Sequence, residues 1–144
     1  MMKKPVFMSV AVSLLFALPV FAAGEQGSRQ EVKLPDMMKQ HMLGNMRDHL
    51  LALHEIQAAL AKGELDKAGD IAEERIGMSS LASHDAAHMA PYMPKAMQDI
   101  GTEMHHSASR FAMTAKEGDA RRALDSLSKV TEQCVACHAA YRLN

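Results

Sequence analysis

The chain has 144 residues, with 16 lysines and arginines against 17 aspartates and glutamates and a formal net charge of −1. That balance gives no electrostatic case for nucleic acid or an anionic membrane as partner. Its length suits one domain with a single core.

The first residues, "MMKKPVFMSVAVSLLFALPVFAAGEQG", set Lys3 and Lys4 before an apolar run ending at Phe21, then Ala22, Ala23 and Gly24. A positive start, a short apolar stretch and small residues at its end predict a secretory signal peptide over residues 1–22, cleaved after Ala22. The competing reading, an uncleaved anchor, needs about 20 apolar residues, more than this run supplies. The expected location is therefore the periplasm. Without Lys3 and Lys4 the mature part, 23–144, carries 14 basic and 17 acidic residues, a net charge of −3. No later apolar stretch is long enough to cross a bilayer, so the mature protein is expected to be soluble.

Residues 23–33 are polar with two glycines and are expected to form a flexible lead-in. Pro35 suits a first helical turn. After it Met38, Met42, Met46, Leu50, Leu53, Ile56 and Leu60 recur at steps of three and four, predicting one helical face. Gly63 ends that helix. A second follows through "ELDKAGDIAEERIGM" with Leu65, Ala68, Ile71, Ala72 and Ile76 inward. Pro91 and Pro94 disfavour continuous helix between residues 79 and 94. A third helix is expected from about Pro94 to Ala115, its inner side marked by Met97, Ile100, Met104 and Phe111. Gly118 and Asp119 then read as a helix stop and an N-cap. The fourth helix carries Leu124, Leu127, Thr131, Cys134, His138 and Tyr141. No segment alternates like a strand, so no sheet is expected. The expected fold is all-α, an antiparallel up-down-up-down four-helix bundle over 34–144, in which the start of the first helix lies beside the end of the fourth.

The only two cysteines fall in "EQCVACHAAYRLN". Cys134, Cys137 and His138 stand at i, i+3 and i+4, so both sulfurs and the imidazole project from one helical face. C-x-x-C-H is the attachment signature of c-type haem: the thiols add across two vinyl groups and the histidine reaches the iron. A thioredoxin-like redox pair shares the spacing but needs a βαβ context. A structural zinc site needs a fourth ligand from elsewhere, and a bare disulfide leaves His138 without a role.

"CVACHAAYR" resembles the C-x-x-C-H-x-x-Y-R ending of the class II cytochromes c, the cytochrome c′ and c-556 group, whose fold is a four-helix bundle. The resemblance is specific only in this stretch. It implies one covalent haem c held by Cys134 and Cys137, His138 as proximal axial ligand and Arg142, one turn beyond, near the proximal face. It places the distal residue on the first helix about three turns after a proline-acid pair, here Pro35-Asp36, which makes Met46 the candidate distal ligand of the haem iron. Met42, His41 and His49 are its rivals. The Arg-Gln pair common ahead of the family's distal residue is replaced here by Met42-Leu43.

Methionine and histidine ligation implies single-electron transfer with redox partner proteins. A vacant distal position implies instead a five-coordinate iron binding nitric oxide or carbon monoxide. The family also forms homodimers through exposed bundle faces. A third reading, a copper- or redox-stress module, rests on His84, His88, Met89 and Met93, since imidazole and thioether suit copper. His105 and His106 point in different directions and suggest no site. Neither a Ser/His/Asp order nor a phosphate-binding glycine loop is found, and Glu73-Glu74 reads as a solvated pair; the chain is expected not to be an enzyme.

Overall fold

A computed structural model describes residues 29–144. The expected signal peptide, residues 1–22, and residues 23–28 of the lead-in lie outside the described residues. The fold is mostly helical: α1 (Asp36–Ala61), α2 (Leu65–Arg75), the short α3 (Ala86–Met89), α4 (Lys95–Ala115) and α5 (Ala120–Ala140). The four expected helices are present, and α3 forms inside the stretch expected to be irregular.

Local chemistry sets the helix ends. Pro35 and Pro94 sit at the N-caps of α1 and α4, with their carbonyls taking the first helical amides at 2.9 and 3.1 Å. Gly63 and Gly118 follow α1 and α4 with φ of +75° and +82°, a conformation that strains side-chain-bearing residues. The Asp119 Oδ1 accepts from the amides of Arg121 and Arg122 at 2.9 and 3.1 Å, capping α5.

The expectation of no sheet is corrected. Gln30–Val32 (β1) pairs in parallel with Tyr141–Leu143 (β2), in the register Gln30 with Tyr141, Glu31 with Arg142 and Val32 with Leu143. The end of the expected lead-in is thus a paired strand, with Val32 buried in it and Leu34 buried just after it. Strands of three residues are too short to show a period of two. The pairing clasps the start of α1 to the end of α5, reinforced by Leu34 N–H donating to Asn144 Oδ1 at 3.4 Å and by Lys39 donating to the Asn144 carbonyl.

Helices pack in sequence: α1 on α2, α2 on α4, and α4 on α5, while α1 and α5 share no comparable face. The main core is rich in alanine, with Ala52, Ala68, Ala72, Ala108, Ala112 and Ala123 all buried around Ile56 and Phe111. Small side chains let the helix axes approach closely. At the α2–α4 crossing a Cβ added to Gly69 would stand 2.8 Å from the Ala112 carbonyl oxygen. Gly69→Ala is therefore expected to destabilise by about 1–3 kcal/mol through forced backbone shifts, despite alanine's better helix propensity. Urea denaturation checks the sign: a more stable variant would mean that this crossing is loose.

Two helical faces differ from expectation. Leu50 is 71% exposed and Leu124 56% exposed. The buried side of α1 runs through Met42, His49, Ala52, Ile56 and Ala59, and that of α5 through Ala123, Leu127 and Val130. Counting the largest apolar side chains chose Leu50 over the adjacent His49 and Leu124 over Ala123. Close helix packing favours the smaller residue at 123, and His49 turns inward against the His84 and His105 rings at the cleft.

Candidate functional site

Where α1 and α5 diverge, a cleft of about 870 Å³ opens beside a second apolar cluster. Both thiols, His138, Tyr141 and Arg142 line it from the α5 side; Met42, Met46 and His49 line it from α1. Met89 and Met93 come from the connection, and Met97 and Met104 from α4. Among the described residues four cationic side chains, Arg29, Lys39, Arg47 and Arg142, border the cleft and no Asp or Glu does.

Cys134 and Cys137 occupy the last two turns of α5 and are half-buried free thiols. Burial pushes both thiols above their usual pKa, and the neighbouring Cys134 adds to the effect on Cys137. They lie at the carboxyl end of the helix, where the backbone dipole disfavours a thiolate. A redox pair of the thioredoxin kind uses the opposite end and a lowered pKa. The zinc reading fares no better: among the described residues no three His, Cys, Asp or Glu side chains have their donors gathered on one metal position.

His138 is exposed at the cleft edge, and its carbonyl accepts from Arg29 at 3.5 Å. Arg142 does not lie one helical turn beyond it. The helix ends at Ala140, and Arg142 sits on β2, where it pairs with Glu31 at 2.5 Å. The next turn is lost because the Tyr141 backbone is extended and joins the ladder.

On α1 the sequence candidates separate. Met42 is buried and Met46 half-buried, both facing the cleft, whereas His41 and Met37 point to solvent. Of the group His84, His88, Met89 and Met93, three line the cleft and His88 leaves it. Asp85 adopts φ +54°, uncommon for a residue with a side chain. After that turn His88 faces solvent and pairs with Asp85, while His84 is buried at the cleft.

His84 meets two imidazoles that local sequence spacing did not associate with it. Its ring centroid is 4.8 Å from that of His49 and 5.5 Å from that of His105, and His49 and His105 are 6.3 Å apart. The three are only 6%, 7% and 7% exposed for His49, His84 and His105 respectively. The connection is tied to both flanking helices: Asn45 donates to the His84 carbonyl at 3.1 Å, and Gln98 to the carbonyls of Ala90 and Met93 at 3.0 and 2.9 Å. No short-range signal marks the trio, because its members come from α1, the connection and α4.

Burial, then the His84 and His105 charges, push the His49 pKa down to about 4. Burial likewise lowers His84 and His105. An unfolded His49 takes up its proton near pH 6.5, so between about 6.5 and 4 the unfolded chain binds more protons than the folded one. Stability is then complete above that window and falls as pH drops through it, by on the order of 3 kcal/mol from His49 alone. Urea denaturation at pH 7 and pH 5 should show the loss, and His49→Leu should flatten it. An unchanged slope in that variant would assign the acid sensitivity elsewhere.

No family model matches the chain, and no curated protein and no solved structure matches it either.

Proposed function

We propose that the chain is an exported monohaem c-type cytochrome of the four-helix-bundle kind, carrying single electrons between periplasmic partner proteins. The observation that carries this reading is the meeting of Cys134, Cys137, His138 and Met46 on one largely apolar cleft. Its volume of about 870 Å³ lies within the roughly 300–1,000 Å³ usual for cofactor sites. Haem c fits this donor set: two thiols for its vinyl groups, an imidazole for its iron, thioethers and apolar walls for its ring, and a basic border for its carboxylates. When bound it supplies a one-electron iron couple.

The chain's own residues do the rest. Cys134 and Cys137 would hold the group covalently, and His138 would supply an imidazole nitrogen to its iron. Met46 would supply a thioether, with Met42 one turn before it also at the cleft. Apolar side chains from α1 and α4 keep water from the site, which favours a stable ligand set and a raised potential. Arg142, locked to Glu31, acts through the clasp rather than from a helical turn beyond His138.

Absorption and magnetic circular dichroism spectra of the purified protein test the ligand set. Low-spin iron in both oxidation states is expected, with a methionine-to-iron charge-transfer band when oxidised. Met46→Ala is expected to abolish that band. High-spin ferrous iron that takes up carbon monoxide readily in the unaltered protein would replace electron transfer by gas binding as the function.

A further inference from the structure

The imidazole trio has no role in that reading, and its hydrogen bonding is unusual for a packed core. His105 Nδ1 donates to the Ile76 carbonyl at 2.5 Å, because a carbonyl can only accept. Ser80 Oγ gives its own proton to the Gly77 carbonyl at 2.7 Å and so accepts from His84 Nδ1 at 3.2 Å. Both rings are therefore fixed with Nε2 as an unprotonated lone pair. His49 Nε2 is buried and finds no partner. A buried polar atom left so costs about 1–3 kcal/mol.

Neutral imidazoles whose Nδ1–H is tied to protein oxygens are what metal-binding histidines require, since the second shell sets the tautomer and orients the ring. With metal–nitrogen bonds of about 2.0–2.1 Å, ring centroids around one ion should stand about 5–5.5 Å apart. The separations of 4.8 and 5.5 Å bracket that value. The third, 6.3 Å, is wider, which is consistent with the three nitrogens not already converging. His49, whose Nε2 no partner holds, is the ring to turn.

We infer that His49, His84 and His105 form a second metal site, one that takes Cu(I). Among the described residues no Asp or Glu side chain lines the cleft, so calcium and magnesium find no acidic oxygen ligand there. Imidazole alone would serve zinc or copper. Buried Met104 and Met89 line the same cleft and offer thioethers, which select Cu(I). The site needs no iron ligand and does not rest on the haem reading.

The purified exported protein is to be titrated anaerobically with Cu(I) against a chromogenic Cu(I) chelator, with Zn(II) in parallel. One Cu(I) per chain is expected, with nitrogen and sulfur neighbours in X-ray absorption. His49→Leu, which replaces the unpartnered ring by an apolar side chain, should weaken binding by more than about tenfold. Ser80→Ala leaves all three imidazoles in place but removes the acceptor behind His84, and should weaken it about 10- to 100-fold. His88→Ala should leave it unchanged. The inference is overturned if the chelator strips all Cu(I), if Ser80→Ala binds as tightly as the unaltered chain, or if Zn(II) displaces Cu(I) stoichiometrically. Should His49→Leu fail to fold, the Ser80→Ala result decides alone.

Discussion

The Cys134→Ala, Cys137→Ala double variant is expected to lose all haem stain on a denaturing gel, while the unaltered chain, on the proposed function, keeps one haem per polypeptide. A thioether survives denaturation, whereas axial ligation through His138 does not. The two sulfurs project from one turn of α5 into the same cleft, so each single variant should retain one bond and a reduced stain. Their raised pKa keeps them as thiols rather than as a reactive thiolate pair. An unaltered protein without denaturation-resistant haem, expressed where haem attachment to c-type cytochromes proceeds, would remove the cytochrome reading. The spectra of Met46→Ala would then have no meaning, but the Cu(I) titration would keep its own.

Phe111→Ala is expected to bring the largest loss of stability of any single substitution in the core. Phe111 is fully buried and is among the largest side chains so enclosed, in the alanine-rich cluster to which α1, α2, α4 and α5 all contribute. Alanine neighbours have no side-chain torsions with which to fill the space. The cost should fall near the upper part of the roughly 3–5 kcal/mol seen for such truncations. Against a total stability of about 5–15 kcal/mol, that lowers the melting temperature by on the order of 10–20 °C. Met113→Ala, two residues on and exposed, is the control and should shift it little. Equal shifts for the two variants would place the core elsewhere.

The helix boundaries were readable because single residues decide them. Pro35, Gly63, Pro94, Gly118 and Asp119 each impose a local conformation that no distant contact needs to supply. Helix faces were less so. On α1 a leucine at position 50 outweighs a histidine at 49 on any hydrophobic count, yet His49 is the buried one. The motif side of the cleft was visible because Cys134, Cys137 and His138 are neighbours on one turn. The imidazole trio was not, since it joins three elements, and inspection of neighbours alone pairs His84 with His88 and His105 with His106. The turn at Asp85 breaks the first pair, and helical geometry separates the second. The strand pair was out of reach for the same reason: its partners are far apart in the chain and each strand is too short to show a pattern.

That strand pair has a thermodynamic consequence for the cleft. Leu34 and Asn144, hydrogen-bonded beside the ladder, are separated by 110 residues, so forming the clasp closes a very long loop. Closure of such a loop is entropically costly, and segments held this way are the first to open. Any group that bonds to α1 and α5 at once, across Met46 and Cys134, already holds the two ends of that loop together and leaves less entropy for β1 and β2 to lose. Coupling of this sort is reciprocal. The ladder must then tighten a cleft-bridging ligand by the same factor by which that ligand tightens the ladder, and amide exchange at Val32 and Leu143 becomes a remote readout of bonding between α1 and α5.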